Sequence, residues 1–246
     1  GGSIKDTAGL PALLTHNAVT DNDQFRVDTT APTLVFSNFS LSDDTGVSSD
    51  DFLTKTENQT LSFDLDLSLA SDDALYGSLD SGSTWTDITN KAQDLVVSWD
   101  GLTLLDGGHS FQFKVIDSAG NVGQVQTQSY TLDTHASIVD AVFDFGDILD
   151  AIEDDTDASL VVTTSDVEDG QTVTLTLNNA TYTSLISANE AVINIPSTDL
   201  RALTEGQSVS FSVSTADKAG NETQEYLDSF YYNSPPSGDL LIIGEP

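Results

Sequence analysis

Carboxylates are the side chains through which this sequence could do chemistry: 32 Asp and 8 Glu stand against 7 Lys and Arg, for a formal net charge of -33. Solubility alone would be served as well by Glu, whereas Asp favours loops, turns and hard-cation sites. Many of the aspartates come in short runs or beside turn residues. Asp43, Asp44, Asp50 and Asp51 form one group, Asp72 and Asp73 another, and Asp166, Glu168 and Asp169 a third. A denser set runs through Asp144, Asp147, Asp150, Glu153, Asp154, Asp155 and Asp157. Oxygen donors on short loops suit Ca2+, which takes about 6–8 oxygens in flexible geometry, while Mg2+ demands a stricter octahedron. The same carboxylates would also serve as the solvated surface of a salt-adapted protein.

Other chemistries find little support. Zero Cys removes disulfides, thiolate nucleophiles and Cys-based zinc sites. His16, His109 and His135 are the only histidines and share no metal-like spacing. No Gly-x-Ser-x-Gly elbow and no phosphate-cradling glycine loop with its Lys occurs. With 40 acids, some pair falls within about 5–10 Å by chance, so carboxylate pairs say nothing about catalysis. The expected role is non-enzymatic. Seven basic residues cannot assemble a phosphate-binding face, which excludes nucleic acid, and they disfavour an anionic membrane surface. The longest aliphatic run, Leu240-Leu241-Ile242-Ile243, is far short of the roughly 20 residues that span a bilayer, so no membrane insertion is expected. A Gly-Gly-Ser start, no Met and no charged-then-apolar leader are what an internal or mature piece would show.

The elements that must position these acids are strands. Apolar residues alternate with Ser, Thr, Gln or Asp in Leu61-Ser62-Phe63-Asp64-Leu65, Ser110-Phe111-Gln112-Phe113, Val173-Thr174-Leu175-Thr176-Leu177 and Val209-Ser210-Phe211-Ser212-Val213. Ser197–Leu203, after Pro196, could form one or two helical turns between strands. Asp117-Ser118-Ala119-Gly120-Asn121 and Asp217-Lys218-Ala219-Gly220-Asn221 start 100 positions apart, and Asp6-Thr7-Ala8-Gly9-Leu10 echoes both. The organisation expected is a remnant of a preceding repeat in 1–28, repeats at 29–133 and 134–233, and a linker with the first strand of a further repeat in 234–246. About seven antiparallel strands per hundred residues indicate an all-β chain of tandem immunoglobulin-like antiparallel β-sandwiches.

That topology sorts the acids by end. The start of the first strand lies beside the loop between strands two and three and the final hairpin turn, which gathers Asp28, Asp72, Asp73 and Asp117. The loop between strands one and two lies at the opposite end, beside the exit of the last strand, which gathers Asp43, Asp44, Asp50, Asp51 and Asp133. Asp166, Glu168, Asp169 and Asp217 approach that junction from the second repeat, while Asp147, Asp150 and Asp154 lie at the far exit. Such crowding repels without a counter-ion, and Ca2+ is the cofactor expected at Asp28, Asp43, Asp44, Asp51, Asp72, Asp73, Asp117, Asp133, Asp147, Asp150, Asp154, Asp166, Asp169 and Asp217. The Asp of each Asp-x-Ala-Gly turn could equally do no more than hold the local backbone.

Several motifs carry a family resemblance. Asp28-Thr29-Thr30-Ala31-Pro32-Thr33, Ser42-Asp43-Asp44-Thr45-Gly46-Val47-Ser48, Asp80-Ser81-Gly82-Ser83-Thr84-Trp85 and Asp117-Ser118-Ala119-Gly120-Asn121 resemble the bacterial Ig-like repeats of giant adhesins. Val167-Glu168-Asp169-Gly170-Gln171 through Asp217-Lys218-Ala219-Gly220-Asn221 is similar to a sister type from the same proteins. Thr134-His135-Ala136 and Asn233-Ser234-Pro235 depart from the usual Thr-Thr-Ala-Pro linker, which leaves the linker ligands there open. The resemblance implies a type I-secreted, repeats-in-toxin-like adhesin at the bacterial surface, with calcium stiffening a stalk whose partners are neighbouring Ig-like repeats in the same chain. A cell-surface or matrix ligand would then be bound through other regions.

Two other readings stand beside it: a sugar- or protein-binding module, in which Trp99 and Tyr76 are the aromatics of interest, and an accessory module of a secreted polysaccharide-degrading enzyme. Ser78-Leu79-Asp80-Ser81-Gly82-Ser83-Thr84-Trp85 also fits the Asp-box of sialidase propellers, but propellers carry several copies and this chain has one, so a structural hairpin is expected.

Overall fold

The computed structural model describes residues 5–11 and 27–233. His16, most of the 1–28 segment and the 234–246 tail with Leu240–Ile243 lie outside the described residues.

The alternating segments become strands because every second side chain finds an apolar partner. The first sandwich comprises β1 (Phe36–Leu41), β2 (Leu53–Thr54), β3 (Asn58–Leu65), β4 (Ala74–Ser78), β5 (Thr86–Asp87), β6 (Ala92–Gln93), β7 (Val96–Thr103), β8 (Gly107–Ile116) and β9 (Gln126–Leu132). One sheet runs in the order β1-β3-β7-β6 and faces a second in the order β2-β9-β8-β4-β5. Along β3, Leu61, Phe63 and Leu65 point inward, and along β8 Phe111, Phe113 and Val115 do the same. Phe63 and Phe113 meet across the sandwich with ring centroids 4.6 Å apart. Burying each such side chain contributes roughly 1.5–3 kcal/mol, so packing can replace the disulfides that a chain without Cys lacks.

The second sandwich repeats the plan with β10 (Ser137–Phe143), β11 (Ile148–Asp150), β12 (Ala158–Ser165), β13 (Thr172–Leu177), β14 (Ala180–Leu185), β15 (Glu190–Ile195), β16 (Gln207–Ser214) and β17 (Tyr226–Asn233). Its sheets are β10-β12-β15 and β11-β17-β16-β13-β14. A single helical turn, α1 (Ser197–Leu200), falls where Pro196 and Ser197 signal a start, and buries Leu200. The hundred-residue offset is visible in strand register: Phe111 faces Gln128 as Phe211 faces Asp228, and Phe113 faces Gln126 as Val213 faces Tyr226.

The strands are not all antiparallel. β2 pairs in parallel with β9, and β11 in parallel with β17. In both sandwiches the first strand leaves one sheet partway and continues in the other. This switch places the β1–β2 loop, residues 42–52, at the end where β9 leaves.

Of the two aromatics named above, Tyr76 is half-buried with Lys114 Nζ 5.9 Å from its ring centroid. Trp99 is buried against Gly77 and belongs to the core. Asp80 takes Ser78 Oγ and Thr84 N on Oδ1 and Thr84 Oγ1 on Oδ2, which holds its carboxyl down at about 2. The Asp-box is a self-contained hairpin turn here. Trp85 beside it is half-buried, with Lys114 Nζ 3.9 Å from its ring centroid.

A methyl group at Gly77 would stand 2.4 Å from the Trp99 ring. Gly77→Ala is therefore expected to destabilise the first sandwich by about 1–3 kcal/mol, the usual cost of overpacking a filled core. Both tryptophans lie in this sandwich, so denaturant unfolding followed by Trp fluorescence reads it alone; an unshifted midpoint would show that the ring can move aside.

Candidate metal centres at the sandwich ends

The final hairpin turn is built the same way in each copy. Asp117 Oδ1 accepts from the backbone N of Ala119 and Asn121, and its Oδ2 accepts from Asn121 Nδ2. Asp217 takes Asn221 N and Nδ2 on its two oxygens. Asp6 Oδ1 likewise accepts from the N of Ala8 and Leu10. Gly120 and Gly220 sit at φ of +91° and +88°, where side chains are strained. Each Asn also ties the turn to the chain that enters its sandwich: Asn121 Nδ2 donates to the Asp28 carbonyl at 3.1 Å and Asn221 Nδ2 to the Asp133 carbonyl at 2.8 Å.

At the leading end of the first sandwich this construction brings Asp28, Asp72, Asp73 and Asp117 together. Burial raises the Asp73 carboxyl above its ordinary value, and the charges of Asp117, Asp72 and Asp28 push it further. Internal hydrogen bonds from Asn121 hold Asp117 below its ordinary value.

The junction between the sandwiches gathers more. Burial raises the Asp133 carboxyl against a hydrogen bond from His135 N, and Asp217, Glu168 and Asp106 add to the rise. A cavity of about 750 Å³ opens here, lined by Asp106, Asp133, Asp166, Glu168 and Asp169. Asp217 is buried, and Glu168 Oε2 accepts from Lys218 N at 2.9 Å. Asp106 is the residue that reading by loops one-two and two-three overlooks. The period-2 alternation already places the β7–β8 loop at this same end, and Asp106-Gly107 marks its turn.

Asp43, Asp44, Asp50 and Asp51 occupy the loop between β1 and β2. The loop is braced from below: buried Gln59 bonds the backbone N and O of Asp43, and buried Thr54 donates to the Asp43 carbonyl. Asp44 Oδ2 accepts from Phe52 N at 2.9 Å, while its Oδ1 is buried without a hydrogen-bond partner. Burial raises this carboxyl first, with Asp51 and Asp50 adding repulsion. A buried carboxylate oxygen beside two further carboxylates is an acceptor without a hydrogen-bond donor, and an oxygen-seeking cation would satisfy it.

The far exit differs. Asp154 is buried and accepts a hydrogen bond from the Tyr232 hydroxyl, whose pKa is pushed up to about 12 by burial and by that contact. Asp150 Oδ1 accepts from the N of Ile152 and Glu153, and Asp144 Oδ2 from Ser159. The Asp147 carbonyl accepts from Tyr231 N, and Asp147 itself is exposed. Much of this end is occupied by its own hydrogen bonds. Among the described residues no group of three or more Asp, Glu or His side chains stands in metal-ligand geometry, and only two ion pairs form, Lys91–Asp100 and Arg201–Asp155.

The sandwiches also touch directly. Val47 N donates to the Lys218 carbonyl at 3.0 Å, Thr45 Oγ1 to the Ala219 carbonyl at 2.7 Å, and Lys55 Nζ to the Gly220 carbonyl. Gly46 packs so closely that a Cβ there would lie 2.0 Å from the Lys218 carbonyl oxygen. No charge or hydrophobic signal in the sequence announces this contact.

Residues 21–134 match the family model of the bacterial Ig-like domain. No curated protein matches the sequence. Among solved structures the chain is similar to a Ca2+-stabilised adhesin with which an Antarctic bacterium reaches out and binds ice, at 23% identity and a TM-score of 0.42 over 84% of this chain and 50% of that one. A 1.5-MDa bacterial ice-binding adhesin, described for host cell surface retention, gives 25% identity and a TM-score of 0.41 over 80% and 65%. A bacterial immunoglobulin-like domain from the M. primoryensis ice-binding adhesin gives 25% identity and a TM-score of 0.29 over 38% and 94%. The chain thus spans 50% and 65% of the lengths of the first two.

The carboxyl shifts predict an unusual pH profile without divalent cations. Asp44, Asp73 and Asp133 have raised folded values, so the fold resists their ionisation and stability rises as pH falls through those values toward 3.8. Asp80, Asp87, Asp100 and Asp117 have lowered values, and the stability they supply is lost below 3.8 as pH falls toward the Asp80 value of about 2. Melting temperature in chelator is expected to peak on the acid side, near 3.8 rather than at neutrality; a monotonic fall from pH 7 downward would contradict this placement of charge.

Proposed function

We propose, from the bacterial Ig-like domain that residues 21–134 carry, that the chain is a non-enzymatic extender segment of a bacterial cell-surface adhesin, stiffened by Ca2+ at the ends of its repeats. In this reading 29–133 and 134–233 are the repeat units, the segment works outside the cell, and its immediate partners are neighbouring Ig-like repeats of the same chain. The observation that carries it is electrostatic. Among the described residues, the three carboxyls whose ionisation the fold resists, Asp44, Asp73 and Asp133, lie at sandwich ends, each repelled by further acids. A protein that kept these groups for solubility alone would gain nothing by gathering and partly burying them.

The donor set fits calcium. Carboxylates line the junction cavity together with the hydroxyls of Thr131, Thr164 and Ser165 and the amide of Asn189, with no sulfur and one exposed histidine, His135, at the rim. Asp28, Asp72, Asp73 and Asp117 would hold an ion at the leading end. Asp133, Asp217, Asp166 and Asp169, with Glu168 and Asp106, would do so at the junction, and Asp43, Asp44 and Asp51, with Asp50, in the adjoining loop. Asp147, Asp150 and Asp154 at the far exit complete the proposed set, with Asp154 free to offer only the oxygen that Tyr232 leaves. A bound cation would cancel the repulsion between ends that already touch and stiffen the hinge between the sandwiches into a rod. Among the described residues no helix is long and apolar enough to cross a membrane.

Calorimetric titration of the chelator-treated chain is expected to show Ca2+ binding with dissociation constants of about 10⁻⁴–10⁻³ M, typical of extracellular modules. Calcium about a hundredfold above that constant should then stabilise by roughly 2.7 kcal/mol per site. Asp133→Asn should remove the junction component, and Asp73→Asn the leading-end one. No heat of binding and an unmoved melting temperature would refute the calcium reading.

A further inference from the structure

The contact between the sandwiches is a built dock. Its receiving side is the turn Asp217–Asn221, which presents the carbonyls of Lys218, Ala219 and Gly220 to Val47 N, Thr45 Oγ1 and Lys55 Nζ. Ala219 is fully buried there, and Gly220 has the Gly46 backbone so near that a Cβ would meet it at 3.1 Å. The inserting side is the Thr45-Gly46-Val47 tip, braced by Thr54 and Gln59 before it reaches its partner. Gly46 has a φ of +92° and its Cβ position is filled by the Lys218 carbonyl, so both the turn and the close approach require glycine.

The first sandwich carries a second copy of the receiving side. Asp117–Asn121 closes with the same bonds, Asp117 N to the Asn121 carbonyl at 3.1 Å and Gly120 N to the Asp117 carbonyl at 3.0 Å, against 3.1 and 3.3 Å in the occupied copy. It has the same Asn clamp on the preceding linker and the same positive-φ glycine. The state of the surface is what differs. Ser118, Ala119 and Gly120 are exposed, a Cβ at Gly120 would meet nothing within 4 Å, and the carbonyls of all three accept no hydrogen bond among the described residues.

We propose that the turn 117–121 is an open dock whose occupant is a Thr-Gly-Val loop of the kind formed by residues 45–47, delivered by an Ig-like sandwich placed immediately ahead of residue 28. This rests on the extender reading and deepens it, since it names the chemical partner of the leading end. The partner is a backbone amide, a threonine hydroxyl and a lysine ammonium converging on three successive carbonyls. The dock sets the angle between sandwiches by steric fit, and cations add to it by neutralising the surrounding carboxylates. Alanine at the third turn position and glycine at the fourth are thus selected by the neighbour as well as by the turn: anything larger would hold the two sandwiches apart.

The test inserts a copy of residues 29–133 between Asp28 and Thr29 of the full chain, so that Asp133 of the copy takes the place of Asp28. With only the inserted copy isotope-labelled, NMR hydrogen exchange in calcium follows its Val47 amide, and the native Val47 at the occupied dock, labelled in a second sample, is the reference. The inserted Val47 is expected to exchange at a rate close to the native one, about tenfold or more slower than an exposed loop amide. Gly46→Val in the inserted copy should abolish that protection. Ala119→Gln in the following sandwich, at a position exposed in this chain, should do the same while leaving the loop intact. Fast exchange at the inserted Val47, with the native Val47 still protected, would overturn the proposal. Calcium titration of the same chain reports the extender reading separately.

Discussion

The structure is governed by like-charge repulsion at the places where two sandwiches must meet. With 40 acids against 7 bases, the chain cannot neutralise its carboxylates from within, and only two ion pairs form among the described residues. Elsewhere on the surface the charges are spread and solvated, and water screens them within about 10 Å at ordinary ionic strength. At the sandwich ends the same charges are partly buried and close together, so screening is weakest where crowding is greatest. The geometry of strands and loops that leads to those ends therefore decides how the whole chain behaves.

Two devices answer the repulsion, and they act on different terms. The dock between the 45–47 loop and the 217–221 turn is short-ranged and directional: backbone carbonyls, a glycine-to-glycine approach and one of the few lysines, Lys55, spent on the Gly220 carbonyl. It fixes orientation but removes little charge. The proposed cation does the reverse, since it neutralises Asp133, Glu168 and Asp217 without specifying an angle as tightly as packing does. A junction with the dock alone would be correctly aimed and loosely held. One with the cation alone would be drawn together without a set direction.

Much of this was legible in the residues. Alternation along Leu61–Leu65 and Val209–Val213 marks strands and inward faces, because a half-buried strand has no other way to dispose of its side chains. The offset of 100 between the two Asp-x-Ala-Gly-Asn turns carries over to strand register, and strand direction alone gathers Asp28, Asp73 and Asp117 at one end and Asp44 and Asp133 at the other. The crossing of β2 and β11 into the opposite sheet was not legible, since two- and three-residue strands carry too little pattern to show a parallel pair. Nor was the dock. Gly46 and Gly220 read as ordinary turn glycines, and their second role exists only because another segment, 174 residues away for Thr45 and Ala219, lies against them. Asp106 carries no such mark, because a single acid before a Gly-Gly turn looks like any hairpin.

The central claim, that repulsion at the sandwich ends is held in check by a cation acting on a junction already aimed by its dock, is tested most directly by the distribution of distances between the sandwiches. The chain has no cysteine, so spin labels at Ser68→Cys and Thr181→Cys, both exposed positions on different sandwiches, report it cleanly. The account predicts a narrow, single-peaked distribution in calcium that broadens on chelation while keeping the same most probable distance. A distribution of equal width with and without calcium, or one whose peak moves to an unrelated distance, would contradict it.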